Sequence, residues 1–252
     1  MRNKAQFRIA IIVAGLALSL VFLLVIGRSF IKNLPFIQRA RGEHTVVEML
    51  QAYGGPARGR LKAKFAAAGL QYPPAEVVLL GLKQERKLQV YANQAAGASM
   101  IFVTQYPILG ASGGPGPKLR EGDCQVPEGF YNFTLEPNTP YHLALRLNYP
   151  NPDDWQHAKD DGRDSPGCDI LIHGSNCSIG CLAMGDPASE DLFVLASDAQ
   201  PTNCRVVLVP HDFRTNPDMA PPVKSPAWVS ELYEKLAATL KTLPVAPVSS
   251  AL

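Results

Sequence analysis

From Ile9 to Ile26 the chain carries eighteen residues of which only Ser19 is clearly polar. At a helical rise of about 1.5 Å per residue such a run covers about 27 Å, close to the hydrocarbon thickness of a bilayer. By this length and composition the segment is expected to be a transmembrane helix. The same pattern also describes a secretory signal peptide, with Val25-Ile26-Gly27 as a weak cleavage site. The run is long for a signal core and lacks a clean Ala-x-Ala, so an uncleaved signal anchor over 9–26 is the reading adopted. Arg2, Lys4 and Arg8 precede the run, and Arg28, Lys32, Arg39 and Arg41 follow it, so flanking charge does not orient the segment.

Residues 1–32 hold five basic side chains and no acidic one, which leaves 19 basic against 22 acidic residues in the remainder. The basic balance therefore belongs to the N-terminus, and no nucleic-acid partner is expected for the rest. Five cysteines is an odd number. In an oxidising compartment it fits up to two disulfides and one thiol kept free for chemistry.

Beyond the anchor, 27–60 reads as a linker and helical lead-in. His44–Tyr53 and Ala57–Ala68 have helical spacing and are separated by Gly54-Gly55-Pro56, a stop signal, so two helices are expected. From Val77 the period changes. Val77–Leu82 and Leu88–Ala92 flank a charged tip and read as a hairpin. Met100–Tyr106, Tyr131–Leu135, His142–Leu147, Asp169–Ile172 and Cys204–Val209 read as further strands, Pro187–Leu195 and Pro226–Leu240 as helices, and Gly110–Pro117 as a loop. Many short strands with few helices give an α+β, β-rich fold. The catalytic domain is expected over 61–215, with 216–252 a C-terminal helix and tail.

The stretch with chemical content is Ile172-His173-Gly174-Ser175-Asn176-Cys177-Ser178-Ile179-Gly180-Cys181. A cysteine nucleophile needs a base to make thiolate and donors to hold an oxyanion. His173 ends an apolar strand, which fixes an imidazole. Gly180 before Cys181 lets the backbone N–H groups of both residues approach a carbonyl oxygen, and Ser178 can bond the loop or the substrate. Two plainer readings stand beside this one. The cysteines can be small buried hydrophobes, or Cys168, His173, Cys177 and Cys181 can bind zinc, although their spacing lacks paired C-x-x-C knuckles.

The run Ile172–Cys181 and its continuation Leu182-Ala183-Met184-Gly185-Asp186 resemble the L,D-transpeptidase (YkuD-type) signature, an I-H-G element followed by S-x-G-C. The short gap between the two is similar to that of the YafK-like branch. Upstream, Gly116-Pro117-Lys118, Glu121-Gly122-Asp123 and Pro127-Glu128-Gly129-Phe130-Tyr131 resemble the family's G-D-x-x-T-P-x-G-x-Y element, and Tyr149-Pro150-Asn151 its Y-P-N element. Ile179 stands where many members carry a second histidine, and Val126 where the element has threonine.

The resemblance implies a β-rich L,D-transpeptidase catalytic domain with short flanking helices, preceded here by the N-terminal transmembrane helix. It also implies Cys181 as nucleophile and His173 as base, and Ser178, Gly180 and Gly174 as the oxyanion and nucleophile loop. Lys118, Tyr149 and Tyr131 are candidate substrate contacts. Neither cofactor nor metal is implied. The substrate implied is a peptidoglycan stem peptide, attacked at the diaminopimelate carbonyl, with the domain in the periplasm on an inner-membrane anchor. The thioester can pass to an amine of a neighbouring stem or an envelope lipoprotein, or to water, as in a carboxypeptidase or amidase. Two further readings are a retired peptidoglycan-binding module and a cytosolic thiol enzyme.

Overall fold

The computed structural model describes residues 42–247. The apolar run lies outside these residues, and with it the anchor reading. Among the described residues no helix is long and apolar enough to cross a membrane.

Among the described residues, nine strands form two sheets. The larger has the order β3-β2-β1-β9-β4, with β1 (Glu76–Leu82), β2 (Lys87–Asn93), β3 (Ile101–Pro107), β4 (Gly129–Tyr131) and β9 (Cys204–Val209). The smaller has the order β5-β6-β7-β8, with β5 (Phe133–Thr139), β6 (His142–Leu147), β7 (Leu171–His173) and β8 (Leu182–Ala183). Pairing is antiparallel except between β1 and β9 and between β7 and β8. The helices are α1 (Val46–Ala67), α2 (Pro152–Asp160), α3 (Asp186–Asp198) and α4 (Trp228–Leu240).

Strands β1 and β9 are near-continuous apolar runs because both faces of their sheet are covered. Val77, Leu79, Val206 and Leu208 join Leu145, Ile172 and Leu182 of the smaller sheet in one core, together with Leu61 and Phe65 of α1 and Leu192 of α3. Val78, Leu80, Val207 and Val209 face the other way, onto Val229, Tyr233, Leu236 and Leu240 of α4.

Two expectations about the elements are corrected, and one element is added. The two lead-in helices are one, α1, which runs through Pro56. Beyond the proline, Ala57, Leu61 and Phe65 are buried in the core. Arg58 pairs with Asp198, while Arg60 and Lys64 both reach Asp191. That burial and pairing outweigh the local breaker. The single strand over Tyr131–Leu135 is two, because the chain leaves the larger sheet at Asn132 and enters the smaller one. The Asn132 N–H is taken by Asn148 Oδ1 at 2.9 Å. Helix α2 is an addition, started by a capping box in which Asn151 and Asp154 satisfy each other's backbone N–H.

All five cysteines are free thiols, so the expected disulfides are not formed. Cys204 is buried in the core, and Cys124, Cys168 and Cys177 are exposed. Burial pushes the Cys204 thiol up to about 12, as befits a side chain that serves as a small hydrophobe.

Candidate active site

Strand β7 delivers His173 and strand β8 follows directly on Cys181. Their parallel register sets Ile172 against Leu182 and His173 against Ala183. Side chains alternate along a strand, so Ile172 and Leu182 point into the core and His173 to the opposite face, while Cys181 stands just before β8 with its sulfur against the backbone of Leu171 and Asp169. The chain reaches β8 through Gly180 at φ +85, a conformation that glycine adopts without the strain a Cβ would bring.

His173 is buried, and its Nδ1 lies 2.6 Å from the Gly174 carbonyl oxygen. A carbonyl can only accept, so Nδ1 carries the proton and Nε2 keeps its lone pair. Burial lowers the His173 pKa, and the bond to Gly174 only partly opposes this, so the ring is a neutral base at neutral pH. Tyr141 covers the ring, with centroids 4.7 Å apart. Gly174 has no room for a side chain: a Cβ there would stand 2.5 Å from Asp186 Oδ1 and 2.8 Å from the Tyr141 carbonyl oxygen.

The Cys181 sulfur accepts from the Leu171 N–H at 3.3 Å and donates toward the Asp169 carbonyl at 3.5 Å. No hydrogen bond joins it to His173, so this is a resting arrangement with a neutral thiol and a neutral imidazole. Burial raises the thiol pKa, opposed by the Leu171 N–H and by the charges of Arg146 and Lys118. Both N–H groups read as oxyanion donors are engaged. Cys181 N–H donates to Ser178 Oγ at 3.0 Å, and Gly180 N–H to Ser112 Oγ at 2.7 Å. A substrate oxygen must therefore displace a serine hydroxyl to be held there. Among the described residues no group of three or more His, Cys, Asp or Glu side chains is arranged to hold a metal ion.

No protein-family model matches the chain. It is 35% identical over 120 residues to the YafK protein of Escherichia coli (strain K12), provisionally named an L,D-transpeptidase, and the match covers 46% of each chain. Over that stretch this chain is similar to YafK. It spans about half the length of the curated relatives it matches. Among solved structures, the helical cell shape determining protein Pgp2 of Campylobacter jejuni is 18% identical, with 71% of this chain and 75% of that one covered at a TM-score of 0.40. Mycobacterium tuberculosis L,D-transpeptidase 1 is 16% identical, with 53% and 62% covered at a TM-score of 0.30. At these values the kinship rests on the sequence match and not on the superpositions.

Cys181, His173, Gly174, Ser178 and Gly180 come together as one loop on β7 and β8. Ile179 is 80% exposed and turned away from that loop's contacts. The three candidate substrate contacts are occupied by the framework. Lys118 is buried, with Nζ 2.7 Å from Asp123 and 2.9 Å from the Arg120 carbonyl. Tyr149 OH donates to the Pro166 carbonyl, and Tyr131 OH to Asp154. Asp123 accepts from three backbone N–H groups as well as from Lys118. Burial pushes its pKa up, but these donors outweigh it and hold the carboxyl low.

Two side chains with a place at this site carry no sequence signal. Arg146 of β6 stands opposite Leu171, beside the thiol, and bonds Glu136 and Asp169. Ser112 lies in the glycine- and proline-rich loop, where any small polar residue looks the same.

Proposed function

We propose that the protein is a membrane-anchored cysteine acyltransferase of the cell envelope that acts on peptidoglycan stem peptides. One observation carries the chemistry: His173 has its Nδ1 proton committed to Gly174, so its Nε2 lone pair is the one that can take the Cys181 proton. Rotation of the thiol away from the Asp169 carbonyl brings its proton to Nε2. The thiolate then attacks the carbonyl carbon at the L-centre of the diaminopimelate residue. The new oxyanion takes the Cys181 N–H from Ser178 Oγ. The C–N bond breaks, the amine leaves with the proton from His173, and a thioester to Cys181 remains. An amine acceptor deprotonated by His173 displaces the sulfur and completes transpeptidation; water in its place gives hydrolysis.

The kinship with YafK supports this reading, as does the retention of His173, Ser178, Gly180 and Cys181 in one loop. The anchor is assigned to Ile9–Ile26, with the catalytic unit in the periplasm. Reporter fusions at residue 252 test this part, and a cytoplasmic signal would refute it.

The deciding experiment incubates the full-length chain with a disaccharide tetrapeptide and follows the products by mass spectrometry, beside Cys181→Ala. Release of D-alanine together with a cross-linked dimer establishes transpeptidation, and D-alanine with tripeptide alone establishes hydrolysis. Absence of turnover here and on lipoprotein-linked muropeptide refutes the enzymatic reading in favour of a binding module.

A further inference from the structure

The nucleophile segment is held on two sides. On its inner side it pairs with β7, through Ile172 against Leu182. On its outer side 109–112 runs antiparallel to it: Leu109 N–H donates to the Ala183 carbonyl at 2.8 Å, and Ala183 N–H to the Gly110 carbonyl at 2.8 Å. Gly110 must be small here, because a Cβ would stand 2.6 Å from the Asn176 carbonyl oxygen. Further along this outer edge the Gly180 N–H finds a side chain for its acceptor. Ser112 Oγ accepts that N–H at 2.7 Å and its O–H donates to the Cys124 carbonyl, also at 2.7 Å. One hydroxyl thus ties the residue before the nucleophile to a second loop. Ser112 also lines a cavity of about 430 Å³ between the glycine-rich loop and Lys83, Gln84 and Arg86, so its surroundings are open to a ligand.

From this geometry we infer that Ser112 is a positioning residue for acyl transfer at Cys181. It rests on the acyl-transfer reading above. Gly180 is the one residue of the segment with no side chain to fix it, and it sits at φ +85. Its backbone torsions decide where the next peptide plane points, and that plane carries the Cys181 N–H that is to hold the oxyanion. By fixing the Gly180 N–H, Ser112 sets the direction of the Cys181 N–H while touching neither the sulfur nor the imidazole. Ser178, by contrast, occupies the Cys181 N–H at the longer distance of 3.0 Å and is the hydroxyl that yields to substrate.

Such a role separates two reactions of the same thiol. Acylation develops an oxyanion and needs the donor aimed. Alkylation by iodoacetamide displaces iodide from a saturated carbon and needs no oxyanion. The test compares both on the full-length chain, using p-nitrophenyl acetate as acyl donor, with wild type, Ser112→Ala and Ser112→Thr. Gly180 amide exchange, followed by NMR, reports the hydrogen bond itself.

Ser112→Ala is expected to lower the maximal acylation rate by about ten- to a hundredfold, the range for a displaced catalytic group. The half-saturating concentration and the alkylation rate are expected to stay within about twofold. Ser112→Thr, which keeps the hydroxyl, is expected within about threefold of wild type, and Gly180 exchange speeds up only in the alanine variant. Wild-type acylation by Ser112→Ala overturns the inference. So does alkylation that falls in step with acylation, or a threonine variant as slow as the alanine one. A wild-type chain that is alkylated at Cys181 but acylated by no donor removes the acyl-transfer reading itself, and the inference with it.

Discussion

Glu128 is 2% exposed and holds three donors. Its Oε1 takes Lys83 Nζ at 2.9 Å and the Gly116 N–H at 2.8 Å, and its Oε2 takes Tyr233 OH at 2.9 Å. Lys83 in turn donates to the Gly116 and Val126 carbonyls, both at 2.8 Å. The pair therefore holds the C-terminal end of the loop that carries Ser112, at Gly116, against Val126 and α4. Glu128→Ala strands a buried ammonium, and breaking one side of such a pair costs about 3–5 kcal/mol. Lys83 keeps its two carbonyl acceptors, which places this variant at the lower end, about 3 kcal/mol. With a urea m-value of about 2 kcal/mol per molar, the unfolding midpoint drops by about 1.5 M. The double variant Lys83→Met/Glu128→Met removes both charges and is expected within about 1–2 kcal/mol of wild type, since apolar replacement of a whole buried pair is often neutral. Urea unfolding followed by circular dichroism reads all three proteins. A Glu128→Ala midpoint within about 0.3 M of wild type, or a double variant less stable than the single one, would refute the account of Glu128 as the loop's buried anchor.

Gly174→Ala forces a Cβ to 2.5 Å from Asp186 Oδ1, 2.8 Å from the Tyr141 carbonyl oxygen and 2.9 Å from His142 Cβ. It should cost about 1–3 kcal/mol in unfolding experiments and, by shifting the carbonyl that orients His173, about tenfold or more in kcat; a variant with wild-type kcat would show that the Gly174 carbonyl does not set the base. His173 must be neutral to accept the thiol proton, and burial puts its pKa below the ordinary 6.5. The acid limb of kcat/KM should therefore fall below pH 6.5, whereas a midpoint above about 7 would contradict a desolvated base. Burial, partly offset by the Asn151 N–H and Tyr131 OH, raises the Asp154 carboxyl from 3.8 to about 6. Its proton is bound more tightly in the folded state, so its contribution is complete below about pH 4 and is lost as pH rises through about 6. That loss amounts to about 2–3 kcal/mol and should vanish from the pH–stability curve of Asp154→Asn; an unchanged slope between pH 4 and 6 would assign it to another group.

Local chemistry made much of the molecule legible. The hairpin of β1 and β2 and the strand β9 announced themselves as β-branched apolar runs with a charged tip, because a sheet covered on both faces needs apolar residues throughout. The nucleophile loop was readable for a related reason. His173, Gly174, Ser178, Gly180 and Cys181 lie within nine residues, so their spacing survives in one dimension.

Long-range contacts decided the rest. Pro56 reads as a stop, yet Leu61 and Phe65 have a core to enter and Arg60 and Lys64 have a buried Asp191 to meet, so α1 continues. Lys118 reads as a candidate substrate contact, but Asp123 folds back to take it. Ser112 lies 68 residues from Gly180. Only the pairing of 109–112 along the outer edge of β8 brings its hydroxyl to that N–H. The sequence by itself determined which atoms can do the chemistry, since a thiol, an imidazole and a glycine-set loop are properties of residue type and spacing. The tertiary structure alone decided how those atoms are held, because hydrogen bonds between distant segments depend on which edges the folded sheets leave open.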